Sequence, residues 1–111
     1  MKDRNETQKL KLKDSLKLDS GKLIHRCEVA YKTFGHLNKD RSNAILVCHA
    51  LSGDQFCSGI NLSTKRKGWW SILIGPGKVI DTNIFFVICS NVLGGCMGST
   101  GPSSINPKTK K

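Results

Sequence analysis

Two short apolar runs constrain the fold of this chain more than any other feature of its sequence. Ala44–Cys48 and residues 84–89 contain no charged side chain. Uninterrupted apolar runs of this length are typical of strands buried on both faces, as in parallel sheets that are covered by helices. The rest of the sequence offers no long amphipathic helix; the best candidate is a short turn over residues 69–73, ended by Gly75-Pro76-Gly77. The sequence therefore predicts an α/β fold whose sheet is incomplete within these 111 residues.

A hairpin is predicted ahead of the first apolar run. Residues 16–18 and 23–24 supply its arms, and Asp19-Ser20-Gly21 between them is typical of a turn. Residues 1–15 are polar and charged with scattered leucines, so we expect a frayed lead-in there, and residues 16–111 then form one domain fragment. The second arm of the hairpin is expected to continue, in alternation, through Cys27, Val29 and Tyr31.

The net charge of +10 is compatible with a small basic nucleic-acid-binding domain, which is the alternative from another class of protein. The basic residues, however, cluster before Ser42, at Lys65-Arg66-Lys67 and in residues 108–111. This separation is typical of a lysine-rich, solvated surface around an apolar core. We therefore expect no nucleic-acid partner. The alternative predicts an affinity that falls steeply with salt concentration.

The cysteine pattern predicts reduced thiols. The count is odd, no Cys-x-x-Cys occurs, and three of the five lie in or beside apolar runs, where a free cysteine behaves as a small hydrophobe.

There is no charged leader before an apolar stretch, and no run approaches the ~20 residues that span a bilayer. A cytoplasmic protein without membrane contact is expected. No metal is assigned, because neither His25 nor His36 belongs to a recognisable ligand set. The cysteines are Cys27, Cys48, Cys57, Cys89 and Cys96.

A nearly uncharged, glycine-rich run follows the second apolar run, over residues 91–104. Loops of this kind after buried strands are where α/β enzymes build their sites. A phosphate-binding loop is excluded, because neither Gly-x-Gly-x-x-Gly nor a Gly-Lys-Ser/Thr ending is present. The candidates for a substrate pocket are Gly94, Gly95, Gly98 and Ser99, and the alternative is a tight surface turn.

This run, together with three other segments, resembles the homoserine O-acetyltransferase family, which are α/β-hydrolase-fold acyltransferases of methionine biosynthesis. The resemblance covers most of the chain from about Leu16 onward. It implies the N-terminal part of the α/β-hydrolase fold, with the hairpin and the first strands of the central sheet. The matching segments are residues 29–38, residues 42–54, Gly68-Trp69-Trp70 with Gly75-Pro76-Gly77 and Asp81-Thr82, and the glycine-rich run with Ile105-Asn106-Pro107.

The family resemblance also implies the reaction. Such enzymes move an acetyl group from acetyl-CoA, a co-substrate, to the hydroxyl of L-homoserine, with no bound cofactor, and the complete enzyme is expected to be a homodimer. The family's serine nucleophile lies in Gly-x-Ser-x-Gly, which does not occur in this chain. We therefore expect an N-terminal fragment without the catalytic triad, inactive alone. Succinyl donors, serine acceptors and an esterase of the same fold remain alternatives.

The resemblance places the backbone N–H of Leu51 in the oxyanion hole, because α/β-hydrolases take one such donor from the loop after this strand. The alternative is an ordinary turn at the end of a strand. Cys48 and His49 are not expected to form a thiol–imidazole dyad, since neighbouring strand residues point to opposite faces. A structural role for His49 is favoured.

Two neighbouring tryptophans follow a cluster of cations. Lys65-Arg66-Lys67 precede Trp69-Trp70, a pattern that could bind the phosphates of coenzyme A or stack on bases. A tryptophan pair is more often part of the core, and we expect that here.

Overall fold

The computed structural model describes residues 7–111. A four-stranded sheet has the order β1-β4-β8-β5, in which β4 is antiparallel to both neighbours and β5 is parallel to β8. The pairs β2–β3, antiparallel, and β6–β7, parallel, form two small sheets. No helix is assigned between residues 7 and 111, and none there could span a membrane. The strands are β1 (Gln8–Lys11), β2 (Leu16–Lys17), β3 (Leu23–Ile24), β4 (Glu28–Phe34), β5 (Ala44–Cys48), β6 (Ile74–Gly75), β7 (Ile80–Asp81) and β8 (Phe86–Ser90).

Both predicted apolar strands form, and they pair in parallel, with Val47 opposite Cys89. The second begins at Phe86 instead of residue 84, because the amides of Ile84 and Phe85 donate to the Asp81 carbonyl and close a turn. Burial on both faces is wrong for β5: Leu46 is 66% exposed. β5 is an edge strand, and no helix of the described residues covers its outer face.

The predicted hairpin forms as β2–β3, but its second strand does not continue as expected. Arg26 has φ of 51°, a left-handed conformation that interrupts the extended chain before β4 begins. Within β4, the fully buried side chains are Ala30 and Lys32, while Val29 and Tyr31 are only partly buried. The expected alternation through Cys27, Val29 and Tyr31 is therefore wrong after Cys27. The buried positions of β4 are Ala30 and Lys32, each one residue later than expected.

The predicted frayed lead-in is wrong for Gln8–Lys11. This segment pairs antiparallel with β4 along four residues, and Lys9 Nζ lies 3.6 Å from a Glu28 carboxylate oxygen. This strand has no apolar alternation by which the sequence could predict it, because all four of its side chains are exposed. Residues 1–6 of the lead-in lie outside the described residues, and the division at residue 16 stays a prediction.

The core lies between β5, β8 and the chain segment that follows β5. The predicted helical turn at residues 69–73 forms only turn bonds, from the Ser71 amide to the Gly68 carbonyl and from the amides of Leu73 and Ile74 to the Trp70 carbonyl, and no helix is assigned there. The expected core position of the tryptophans is also wrong: Trp69 and Trp70 are 42% and 38% exposed, and stack with ring centroids 5.6 Å apart. The Trp69 indole N–H needs a partner and donates to the Asp54 carbonyl at 2.9 Å. The buried cluster consists of Val47, Cys57, Ile74, Val87 and Cys89.

Candidate active-site loops

Two loops lie at the same edge of the sheet, because β5 and β8 are parallel and both end there. The loop after β5, residues 49–53, is called the strand-end loop. The loop after β8, residues 91–101, is called the glycine loop. The strand-end loop contains the candidate oxyanion donor, Leu51, and the glycine loop contains the four pocket candidates. The side chain of His49 connects the two loops.

His49 bridges the loops through both ring nitrogens. The Val92 backbone N–H donates to Nε2 at 3.1 Å, so Nε2 carries a lone pair. The ring proton of the neutral imidazole then lies on Nδ1, which donates to the Ala50 carbonyl at 2.6 Å. Asn91 Nδ2 lies 3.5 Å from Nε2 on the same side. These contacts confirm the predicted structural role of His49, and they fix its tautomer.

The peptide between Ala50 and Leu51 is oriented by two hydrogen bonds on its carbonyl. His49 Nδ1–H and the Gly53 amide, at 2.8 Å, both donate to the Ala50 oxygen. In a trans peptide the N–H points opposite to the carbonyl, so the Leu51 N–H is directed away from both donors. That N–H makes no hydrogen bond to any residue between 7 and 111. Two donors on the carbonyl also polarise the peptide, which strengthens the N–H as a donor. The strand-end loop thus presents one oriented backbone donor.

The glycine loop closes around Asn91, whose side chain is 1% exposed. Its Oδ1 accepts from the amides of Met97, at 3.2 Å, and Ser99, at 3.4 Å. A Cβ at residue 95 would come within 2.9 Å of both polar atoms of this side chain, so only glycine lets the loop pass over it. Asn91 is therefore the interior support of the loop.

The four pocket candidates divide into two pairs. Gly94 and Gly98, with φ of 85° and 117°, line a cleft of about 740 Å³ between the glycine loop and the β2–β3 hairpin. Gly95 and Ser99 do not line this cleft. Ser99 is 5% exposed; its hydroxyl donates to the Asn91 carbonyl at 2.6 Å and accepts from the Ala30 amide at 2.9 Å. Leu51 does not line this cleft. The pocket role of the four residues stays a prediction.

Sequence reasoning missed the supporting residues Asn91 and Gln55. Gln55 Nε2 donates to the Met97 carbonyl at 2.8 Å and to Thr7 Oγ1 at 3.1 Å, which joins the segment after the strand-end loop to the glycine loop. Its Oε1 is buried and has no partner among residues 7–111. One signal was available: His49 and Asn91 are the polar residues directly after the two apolar strands, where parallel strand ends meet.

Metal binding has no support in the part of the chain that the structure describes. That part contains no group of three or more histidine, cysteine or acidic side chains that could hold an ion. His25 Nδ1 lies 2.6 Å from the Ser15 hydroxyl oxygen, and this contact occupies one of its two ring nitrogens.

The parallel pair β5–β8, extended by β4 antiparallel to β8 and by β1 antiparallel to β4, is part of an α/β-hydrolase-fold sheet, as predicted. A homoserine O-acetyltransferase from Bacillus anthracis superposes with a TM-score of 0.83 at 41% identity, over 95% of this chain and 30% of that one. Esterase E22 superposes with the same TM-score of 0.83 at 34% identity, over 96% of this chain and 30% of that one. The same sheet segment therefore occurs in a transferase and in an esterase.

Curated relatives identify the family. The homoserine O-acetyltransferase of Methanobrevibacter ruminantium is 57% identical over 108 residues, which are 97% of this chain and 22% of that protein. The enzyme of the same name from Mesorhizobium japonicum is 64% identical over 96 residues, 86% of this chain and 25% of that protein. No protein-family profile matches the chain. The chain is a segment of the homoserine O-acetyltransferase family and spans about a quarter of the length of these curated relatives.

Proposed function

We propose that this segment supplies one donor of the oxyanion hole in an enzyme that transfers an acetyl group from acetyl-CoA to the hydroxyl of L-homoserine. The observation that carries the proposal is the Ala50–Leu51 peptide, whose carbonyl accepts two hydrogen bonds and whose N–H is directed away from both donors and has no partner among residues 7–111. The relatives named homoserine O-acetyltransferase support the reaction class. A role in methionine biosynthesis, a cytoplasmic location and a homodimeric complete enzyme are proposed on the same resemblance.

In the proposed mechanism, a serine outside these 111 residues attacks the thioester carbonyl of acetyl-CoA. Negative charge develops on the carbonyl oxygen, and the Leu51 N–H stabilises it in a position set before the reaction begins. Collapse of this tetrahedral intermediate breaks the carbon–sulfur bond, so that coenzyme A leaves as a thiol with the proton of the serine hydroxyl, and an acyl-serine remains. The same donor acts again when the homoserine hydroxyl attacks the acyl-serine, because the second tetrahedral intermediate carries its oxyanion on the same carbonyl. Its collapse releases the acylated product and returns the proton of the homoserine hydroxyl to the serine. The glycine loop contributes indirectly, since the Val92 amide holds His49 and His49 holds the Ala50 carbonyl.

An esterase is the second candidate, because esterase E22 shares this segment at the same TM-score of 0.83 as the transferase. Both reactions pass through an acyl-enzyme and require the same oxyanion donor. They differ in whether water or an amino-acid hydroxyl receives the acyl group, and that choice depends on residues other than Leu51. Analysis of the acylated products distinguishes these reactions. Acetyl-CoA or succinyl-CoA is offered with homoserine, with serine or with water alone, so that succinyl-CoA as donor and serine as acceptor are tested together with the esterase.

The test uses a hybrid enzyme, defined as the Mesorhizobium japonicum relative with its 96 matching residues replaced by those of this chain. Replacement of the Leu51 amide by an ester, introduced by semisynthesis, removes the donor and keeps the side chain. We expect kcat for acetyl transfer to fall by ~10²–10³-fold with a small change in KM, as for the loss of one oxyanion donor.

Leu51→Met is the matched control, because the Leu51 side chain is fully exposed in the described chain and makes no packing contact that methionine would disturb. This variant should retain kcat within about threefold of the unsubstituted hybrid. The proposal is wrong if the ester variant turns over normally while Leu51→Met loses most of its activity.

A further inference from the structure

Residues 56–70 form an arm of two paired chain segments, which we call the basic arm because three consecutive cations lie at its turn. The Gly68 amide donates to the Gly59 carbonyl at 2.8 Å and joins the two segments. At the base of the arm, the Trp69 indole N–H donates to the Asp54 carbonyl, directly after the strand-end loop. The arm thus extends from the strand-end loop to a positively charged turn. The three cations are Lys65, Arg66 and Lys67.

A cleft of about 440 Å³ separates the basic arm from the turn over residues 75–78. Lys67 lines this cleft from the arm and Lys78 lines it from the turn. No acidic side chain of residues 7–111 lines the cleft, and neither ammonium forms an ion pair within that range. Apolar side chains, among them Ile60 and Ile72, also line it. The cleft therefore suits a ligand that carries both negative charge and an apolar part.

The Lys78 ammonium is positioned by the backbone around it. A Cβ at residue 75 would lie 3.0 Å from Lys78 Cδ, so Gly75 leaves room for the lysine stem to fold back over the chain. The ammonium donates to the Ser71 carbonyl, which leaves two of its three protons for a ligand. Asp81, the acidic residue after this turn, accepts from the Gly77 amide at 2.9 Å and forms no ion pair with Lys78. The cation is thus held in place and is available to an anion.

We propose that this cleft binds the 3′-phosphate and the diphosphate of acetyl-CoA, an inference that rests on the proposed function. Lysine ammoniums bind phosphate oxygens through charge-assisted hydrogen bonds, and the apolar wall suits the adenosine of the same molecule. Ser58, which lines the cleft, follows Leu51 by seven residues, so their Cα atoms lie at most about 25 Å apart. Acetyl-CoA carries its thioester and its nucleotide at opposite ends of a flexible pantetheine chain, and that chain connects the cleft with the Leu51 N–H.

A single nucleotide suits this cleft better than a nucleic-acid strand does. The volume of about 440 Å³ lies within the range of small-molecule pockets. Among the described residues, two cations line the cleft, whereas a strand requires phosphate contacts repeated along a groove. The nucleic-acid alternative is therefore an outcome of the test.

The test compares two acyl donors in the hybrid enzyme: acetyl-CoA, and S-acetylpantetheine, which has the same thioester without the nucleotide. Lys67→Gln combined with Lys78→Gln removes both charges from the cleft and keeps a side-chain donor at each position. We expect KM for acetyl-CoA to rise about tenfold with kcat within about twofold, because two charge-assisted contacts are lost. The value of kcat/KM for S-acetylpantetheine should stay within about twofold.

Lys22→Gln combined with Lys39→Gln is the matched control, since both lysines are exposed, neither lines the cleft, and the net charge changes equally. This variant should leave KM for acetyl-CoA within about twofold. The inference is overturned if the two double variants raise this KM equally, or if the cleft variant impairs S-acetylpantetheine as much as acetyl-CoA. It is also overturned if a single-stranded oligonucleotide displaces coenzyme A at a lower concentration than 3′,5′-ADP does.

Failure of this inference is distinguishable from failure of the proposed function. A hybrid that acetylates homoserine while the cleft variant behaves like the control refutes the subsite and leaves the reaction standing. If the hybrid acetylates no homoserine, the proposed function is wrong, and titration calorimetry with coenzyme A still decides the subsite. Binding that is about tenfold weaker in the cleft variant than in the control supports the subsite, and equal binding overturns it.

Discussion

β5 and β8 each lie in an uninterrupted apolar run of the sequence but occupy different environments. β8 pairs with β4 on one side and β5 on the other, and Val87 within it is fully buried. β5 pairs only with β8 among the described strands, and its Leu46 is 66% exposed. An apolar run predicts that a strand forms, because burial of either face favours it, but it does not tell whether the strand lies in the centre of the sheet or at its edge.

The difference between the strands extends to the loops that follow them. The glycine loop after β8 has an interior side chain, Asn91, and a buried hydroxyl, Ser99, that is bonded to β4. In the strand-end loop after β5, the Gly53 amide and His49 Nδ1 both donate to the Ala50 carbonyl. The other ring nitrogen of His49, Nε2, accepts from the Val92 amide of the glycine loop. The proposed oxyanion donor, the Leu51 N–H, thus lies in the loop after the edge strand β5. Part of its orientation comes through His49 from the loop after the central strand β8.

Removal of the interior support should have the largest effect on stability. Asn91→Ala leaves the amides of Met97 and Ser99 without their buried acceptor and opens a cavity under the loop. We expect the free energy of unfolding of the hybrid enzyme to fall by about 3 kcal/mol. Denaturant unfolding measures it, with Asn106→Ala as the control, since that side chain is exposed and accepts only the nearby Lys108 amide. Equal losses for the two variants would contradict the support role.

Truncation of one apolar side chain in each strand tests the comparison directly. Val87→Ala in β8 should lower the free energy of unfolding by about 2 kcal/mol, because it leaves a cavity in the core. Leu46→Ala in β5 removes more atoms but should cost under about 1 kcal/mol in the described chain, where that side chain is mostly exposed. The 111-residue chain is the proper sample for this pair. A larger loss for Leu46→Ala would show that the outer face of β5 is covered in solution.

The parts of the fold that depend on local pattern were predictable from the sequence. The β2–β3 hairpin has a turn tripeptide between apolar residues, and the parallel pair β5–β8 has two uninterrupted apolar runs. β1 was missed because three of its four residues are polar, its one apolar side chain, Leu10, is exposed, and it pairs through the backbone with a distant strand. The exposed Trp69–Trp70 stack was missed because apolar size does not reveal which surface a later segment covers.

The site was predictable only in outline. The resemblance implies an oxyanion role for Leu51, which stays a prediction, but the orientation of its peptide depends on bonds from His49 and Gly53 to the preceding carbonyl, which no spacing rule describes. Likewise, Gly95 and Ser99 are both small residues of the glycine-rich run, but they have different roles. Gly95 allows the loop to pass over Asn91, and the Ser99 hydroxyl accepts a hydrogen bond from the Ala30 amide of β4. Such roles follow from side-chain contacts over long sequence separations, and a single sequence does not encode them in any local pattern.

The most direct test of the oriented Ala50–Leu51 peptide compares His49→Asn with His49→Gln in the hybrid enzyme. The asparagine amide can replace Nδ1–H as donor to the Ala50 carbonyl, whereas glutamine can replace Nε2 as acceptor for the Val92 amide and loses the first bond. We predict that His49→Gln lowers kcat about tenfold with little change in KM, as expected for about one hydrogen bond, while His49→Asn, which loses only the indirect support from the Val92 amide, lowers kcat by about threefold. Normal turnover in His49→Gln together with a large loss in His49→Asn would contradict the account.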